Sequence, residues 1–288
     1  MEALPAASTR AICRVLGVTR SALYRHQADG QRSAVAPADG ELLVRIKELI
    51  EQHPTYGYRR IWARLRFGDQ VLINRKKVYR LMKAQGWLIC QRPAAPKPRV
   101  KRKKSVATRA NERWALDATH IDCGTDGWAH LIAVIDCYDR EIIGYEFALR
   151  GRANEAERAV EMACLARFGT LRPHGETPII RSDNGLIFQS RRFREACRFY
   201  RLRQEFITPY TPEQNGMIER WFRSLKEECV WQHQFRTFAE ARAAITRWIR
   251  WYNEERPHQA LGYHSPRSYR RMYDVPPPDQ PDQCLRAA

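Results

Sequence analysis

The chain has 288 residues, 44% hydrophobic and 28% charged, so it can bury a core and is too apolar for wholesale disorder. Its formal net charge of +18 is uneven: residues 1–110 hold 24 Lys/Arg against 7 Asp/Glu, whereas residues 111–288 hold 26 against 25. That split points to a polyanion-binding region joined to a nearly neutral domain. A basic anchor for an acidic membrane fits less well, because no Lys-rich amphipathic helix carries a Trp/Leu face. The eight cysteines are scattered without a C-x-x-C pair, which speaks against a zinc site or disulfide framework and for reduced thiols in a cytoplasm. Apolar runs such as Leu131 to Ile135 are far too short to span a bilayer, and no signal-peptide core precedes them.

Residues 1–30 read as a helix-turn-helix. Ala11, Ile12, Val15 and Leu16 form an apolar stripe, Gly17 permits the turn, and Thr19 can cap a second helix presenting Arg20 and Arg25. A small helical hairpin packed on the rest is an equal alternative. Residues 41–90 form a second helix-turn-helix-like module. A helix over 41–52 is followed by one opening at Tyr56 to Trp62, and Asn74 caps a third that Gly86 closes. Arg59, Arg60, Arg75, Lys76, Lys77 and Arg80 are the candidate DNA contacts, with Val78, Leu81 and Met82 facing inward. Residues 91–110 form a Pro-stiffened linker whose Lys101, Arg102, Lys103 and Lys104 can track a phosphate backbone.

From Asn111 the pattern changes. Residues 114–122 alternate as a strand, placing Asp117 on one face and Leu116 and Asp122 on the other. Strands over about 129–137 and 141–149 follow, then a helix over about 153–168. The next strand ends at Asp183, where Asn184-Gly185 breaks it and leaves the carboxylate at a sheet lip. A helix over 190–201 and a strand over 202–207 come next. Pro209 and Pro212 then punctuate a helix with Glu219 about two turns in and Lys226 on the same face. A long helix over 237–253 leads to a block running from Tyr252 to Pro266, expected to be mainly structural. The domain spans 111–272, and 273–288 is a disordered tail.

The words SDNG and TPYTPEQNGMIER, with W-x-x-D-x-T upstream, resemble the catalytic core of DDE transposases and retroviral-type integrases. More narrowly, the chain is similar to the downstream-frame product of bacterial insertion sequences that use two overlapping reading frames. In that family 35 residues separate the second Asp from the Glu, as they separate Asp183 from Glu219 here. YGYRRIWARL and INRKKVYRLMKAQGW resemble the family's DNA-binding region.

The resemblance implies a ribonuclease-H-like α/β core, a mixed five-stranded sheet flanked by helices, behind an all-helical DNA-binding region. It implies Asp117, Asp183 and Glu219 as catalytic residues and metal ligands. Clustered carboxylates repel and call for cations, and hard oxygen donors select Mg²⁺ or Mn²⁺, here two ions. The expected reaction is 3′-end cleavage by water and strand transfer by the freed 3′-OH, through a circular element copy, without a covalent protein–DNA intermediate. Lys226 is expected to hold the terminal nucleotides. The expected partners are double-stranded DNA (terminal inverted repeats and target), further copies of the chain and an upstream-frame protein. The expected place is the bacterial nucleoid in the cytoplasm. Asp122, Asp136, Asp139 and Glu213 fit the acid trio less well. A metal-dependent nuclease of the same fold and a non-catalytic reader of element ends stay open as alternatives.

Overall fold

The computed structural model describes Cys13, Val15, Gly17 and Thr19, residues 39–89, 107–208 and 211–273 (for Pro212 the backbone only). The chain divides into a unit of residues 1–94 and a unit of residues 95–288. Arg20, Arg25, Lys101, Arg102, Lys103 and Lys104 lie outside the described residues, as does the tail from 274. Within the first predicted helix-turn-helix, Gly17 does take a positive φ of 65°, but Val15 is 85% exposed and does not join an apolar stripe.

Over residues 39–89 the first unit carries α1 (Gly40–Gln52), α2 (Tyr58–Ala63) and α3 (Arg75–Ala84). Ile46 and Leu49 of α1, Ile61 of α2 and Val78, Leu81 and Met82 of α3 are buried, so the 3.6-residue period sorted inward from outward residues correctly. α2 runs on into a π-helical turn over Arg64–Gly68, and Trp62 Nε1 donates to the Ile73 carbonyl at 2.9 Å, bracing the connection to α3. The Asn74 side chain accepts from the Lys76 N–H at 2.8 Å, as its capping position predicts.

The second unit is built on a five-stranded sheet of order β3-β2-β1-β4-β5. Its strands are β1 (Arg113–Asp122), β2 (Trp128–Asp136), β3 (Ile142–Ala148), β4 (Ile179–Ser182) and β5 (Arg203–Phe206). The first three form an antiparallel meander, and β4 and β5 join parallel to β1. This is the ribonuclease-H-like arrangement. One face is covered by α4 (Ala153–Phe168) and α6 (Arg191–Phe199), around Trp114, Leu116, Val160 and Phe193. The short α5 (Leu186–Gln189), which the sequence pattern did not reveal, precedes α6. The other face is covered by α7 (Gly216–Glu228) and α8 (Phe238–Glu254), around Ala115, Ile121, Trp221 and Trp248. Even and odd positions of β1 thus feed separate cores, as strand alternation requires. A further helix, α9 (Pro266–Tyr273), follows.

The block from Tyr252 to Pro266 is structural. Asn253 bridges both the N–H and the carbonyl of Ile142 at 2.9 Å each. Arg256 clasps Glu228 at 2.6 and 2.7 Å, tying the end of α7 to the end of α8, and buried His258 meets the Tyr252 ring edge-on at 4.8 Å. Asp136 and Asp139 are wholly buried acids facing Arg167 rather than the acid trio.

Candidate active site

Asp117 lies midway along β1, on the face that α7 covers. Arg113 pairs with Ile179 and Ala115 with Arg181, an offset of 66 that brings Asp183 level with Asp117 one residue beyond the end of β4. Neighbouring strands run about 4.8 Å apart, so parallel pairing alone sets the two acids side by side. Asp183 is half-buried, and its Oδ1 accepts the Gly185 N–H at 3.0 Å. A Cβ at residue 185 would stand 2.9 Å from that same oxygen, which explains a glycine immediately past the strand.

Glu219 comes from α7, whose apolar stripe of Ile218, Trp221, Phe222 and Leu225 is buried. Trp221 sits among Phe222, Trp248 and Tyr252 at centroid distances of 5.0, 6.0 and 6.1 Å. Truncating such a buried Trp costs about 3–5 kcal/mol, so this aromatic group anchors the helix firmly. Glu219 stands in the first turn of α7, not two turns in. The prolines announce a separate 3₁₀ turn over Pro212–Gln214, and Glu213 belongs to that turn rather than to the Glu219 helix. Gln214 stabilises the turn by accepting the Thr208 N–H at 2.8 Å, while its carbonyl accepts from Arg181 Nη1 at 3.1 Å. Arg181 is itself buried and paired with Glu205 at 3.1 Å. Its structural role was not legible beside the more conspicuous Asp183. Asn215 donates from Nδ2 to the Leu116 carbonyl at 3.2 Å.

Charge ties these residues together. Burial, the largest cause, pushes the Asp117 carboxyl up to about 7. The Ala118 N–H, at 2.8 Å, opposes that, the negative charges of Asp183 and Glu219 add to it, and Lys226 offsets part of it. The four residues singled out from the sequence therefore share one electrostatic neighbourhood. Among the described residues no three His, Cys, Asp or Glu side chains are drawn close enough to hold an ion as they stand. The donors are nonetheless all oxygen and mutually repelling, a set that fits a hard divalent cation.

One consequence is measurable without DNA. An acid whose folded pKa lies above its unfolded value binds more protons when folded, so its contribution to stability falls as pH rises from about 4 to about 7. Asp117→Asn is thus expected to raise the melting temperature of metal-free protein at pH 8 by roughly 1–3 kcal/mol equivalent, after discounting for solvent screening, and to change it little at pH 5. Paired melting curves at the two pH values check this; equal shifts at both would contradict a raised Asp117 carboxyl.

In the first unit, Arg59, Arg75, Lys76 and Arg80 are exposed. Lys77 is paired with Asp39, and the Arg60 guanidinium lies 5.3 Å from the centre of the Tyr56 ring. These two side chains therefore help hold the module together. No helix among the described residues is long and apolar enough to cross a membrane.

The comparisons with known proteins agree with this architecture. Residues 107–212 and 200–266 match two family models, each described as an integrase core domain, and residues 37–95 match one described as an HTH-like domain. The chain is 30% identical over 273 residues to the transposase InsD for insertion element IS2A/D/F/H/I/K of Escherichia coli, covering 91% of this chain and 90% of that protein. It is likewise 30% identical to InsD for IS2-9 of Escherichia coli K12, over 91% of this chain and 88% of that one. Among solved structures, an intasome of simian T-cell lymphotropic virus, in complex with the PP2A regulatory subunit B56 gamma, superposes with a TM-score of 0.50. Its identity is 17%, covering 78% of this chain and 80% of that one, and it bears on the fold alone. An integrase core behind a helix-turn-helix-like module defines a DNA-transposing protein. The chain belongs to the insertion-element transposases of the InsD type.

Proposed function

We propose that this transposase cleaves the 3′ ends of its element and joins them to target DNA, with Asp117, Asp183 and Glu219 as the acids of metal-dependent phosphoryl transfer. The observation that carries the reading is the parallel register that sets Asp183 beside Asp117, with Glu219 of α7 near enough that both acids add to the upward push of burial on the Asp117 carboxyl. A structural acid is ordinarily matched by a cation, as Asp139 is by Arg167 at 2.7 Å. Asp117 instead lies within the field of two further acids from β4 and α7, which the charge of Lys226 only partly offsets.

The three carboxylates would hold two Mg²⁺ or Mn²⁺ ions, which supply Lewis-acid stabilisation to the attacking and leaving oxygens. Asp117 must surrender its proton before it can serve as a ligand, so the cation requirement falls as pH rises towards and past 7. Asp183 is held by its turn to Gly185, and Glu219 rides on a helix held by its buried apolar stripe. Lys226, on the same helix as Glu219, holds a phosphate of the terminal nucleotides. The nucleophiles are water and then the freed 3′-OH, so no protein side chain forms a bond to DNA. The test is incubation of the purified protein with end-containing DNA and Mn²⁺, with Asp183→Asn alongside. Cleaved but unjoined DNA would favour a nuclease, and binding without cleavage by either protein would favour a reader of element ends.

The helix-turn-helix-like unit reads the terminal repeats of double-stranded DNA, with Arg75 and Lys76 at the start of α3, Arg80 midway along it and Arg59 on α2 as the contacts. Arg80→Ala is expected to weaken binding to a terminal-repeat duplex and, if it removes one phosphate contact, to lower the slope of log K against log salt by about 1. Titrations at several salt concentrations measure it; an unchanged slope and affinity would remove Arg80 from the interface. Assembly on DNA as several copies, with an upstream-frame partner and through a circular element copy in the nucleoid, follows from kinship with two-frame elements.

A further inference from the structure

Asn215 sits at the N-terminal boundary of α7, where an Asn side chain normally accepts a hydrogen bond from the first turn of its own helix. Here it makes no such bond. Its amide turns away from the helix, and Nδ2 donates to the carbonyl of Leu116, the residue before Asp117, at 3.2 Å. The residue is 2% exposed, and its Oδ1 is buried without a hydrogen-bond partner. Two local preferences are thus given up at once, a cap and a satisfied carbonyl, and such departures concentrate where geometry serves function. The Asn215 carbonyl meanwhile accepts the Glu219 N–H at 3.3 Å. A continuous chain of contacts therefore runs from the backbone beside Asp117, through one amide, to the backbone of Glu219.

We infer that Asn215 is a positioning residue, which sets the distance between Asp117 and Glu219 and thereby the affinity of the acid trio for its divalent ions. The inference rests on the proposed role of that trio. The strand and the helix are 99 residues apart in sequence at this bond, so no local preference can fix their separation. α7 is pinned laterally by its aromatic anchor, but an anchored helix can still slide along its axis. The Asn215 amide opposes that sliding at the end where Glu219 projects. Only a side chain with a donor of this length serves: Asp has the reach but no donor, and Ser falls short.

Asn215→Ser and Asn215→Thr separate positioning from stability, because both supply a neutral helix-capping oxygen and both remove the amide. Three quantities are read on each: the melting temperature, Mn²⁺ affinity by electron paramagnetic resonance in the presence of a terminal-repeat duplex, and single-turnover cleavage. The expected result is a melting temperature unchanged or raised and duplex affinity retained. Mn²⁺ affinity falls about tenfold or more, as when a supporting hydrogen bond to a metal site is lost, and cleavage slows about 10²-fold. Wild-type Mn²⁺ affinity and rate in both variants would overturn the inference, as would losses that merely follow a lowered melting temperature. Wild-type protein that binds Mn²⁺ but never cuts would remove the strand-transfer reading, leaving the affinity comparison to judge the tether. Wild-type protein that takes up no Mn²⁺ would remove both.

Discussion

Asp183→Asn protein, given terminal-repeat DNA and Mn²⁺, is expected to bind the duplex as wild type does and to produce neither cleaved ends nor joined products. On the proposed mechanism the loss expected is at least about 10³-fold in rate, because Asp183 would be one of the acids that hold the divalent ions, and its charge disappears. The substitution is nearly isosteric, and the Gly185 N–H still finds an oxygen acceptor at residue 183, so folding should be spared. It also removes one of the charges that add to burial in pushing Asp117 up, so the Asp117 pKa should fall while burial still holds it above the ordinary carboxylate range. Quantified gel assays of single-turnover reactions decide the matter. A variant within tenfold of wild type would exclude Asp183 from the chemistry, whatever its register with Asp117.

The second large effect concerns folding and lies at the opposite end of the sheet. Arg167, on α4, is completely buried, with Asp139 at 2.7 Å, Glu141 at 3.1 Å and Asp136 at 3.8 Å from Nη2. Glu141 also receives Arg267 at 2.9 Å and Arg270 at 3.3 Å, which docks α9. Arg167→Met fills much of the volume but leaves buried acids without their buried cation, a change that costs about 3–5 kcal/mol. For a unit of this size that is a fall of roughly 10 °C in melting temperature. The sign of its pH dependence follows from the acids. Burial pushes Asp136 up and, with repulsion from Asp136, carries Asp139 to about 7, so both can take up protons once Arg167 is gone. The difference between variant and wild type should therefore be greatest above pH 7 and shrink towards pH 5. A melting temperature within 2–3 °C of wild type at pH 8 would show that these charges are solvated in solution.

Much of the second unit was legible beforehand, for a physical reason. Alternation along Trp114 to Asp122 put Asp117 and Leu116 on opposite faces because strand side chains alternate, and those residues do feed different cores. The stripe Ile218, Trp221, Phe222, Leu225 announced a buried helix in the same way. Local rules failed where the backbone is irregular. Two prolines suggested an early start for the Glu219 helix, yet a 3₁₀ turn ending at Gln214 intervenes, since proline disrupts a helix interior but suits a tight turn equally well. Val15 shows the same weakness in a short stretch: spacing assigned it to an apolar stripe, and it stands 85% exposed.

By itself, then, the order of residues determined the charge split, the layers of the core, the acids worth considering and the kinship their spacing announces. It could not determine how the acids are placed relative to one another. That depends on the parallel register of β1 with β4 and on the docking of α7, pairings between residues far apart along the chain, for which periodicity carries no signal. Nor could it determine the proton affinity of Asp117 or the hold of Arg167 on its three acids. Both arise from removing charge from water, and only the packed structure decides how much water is left.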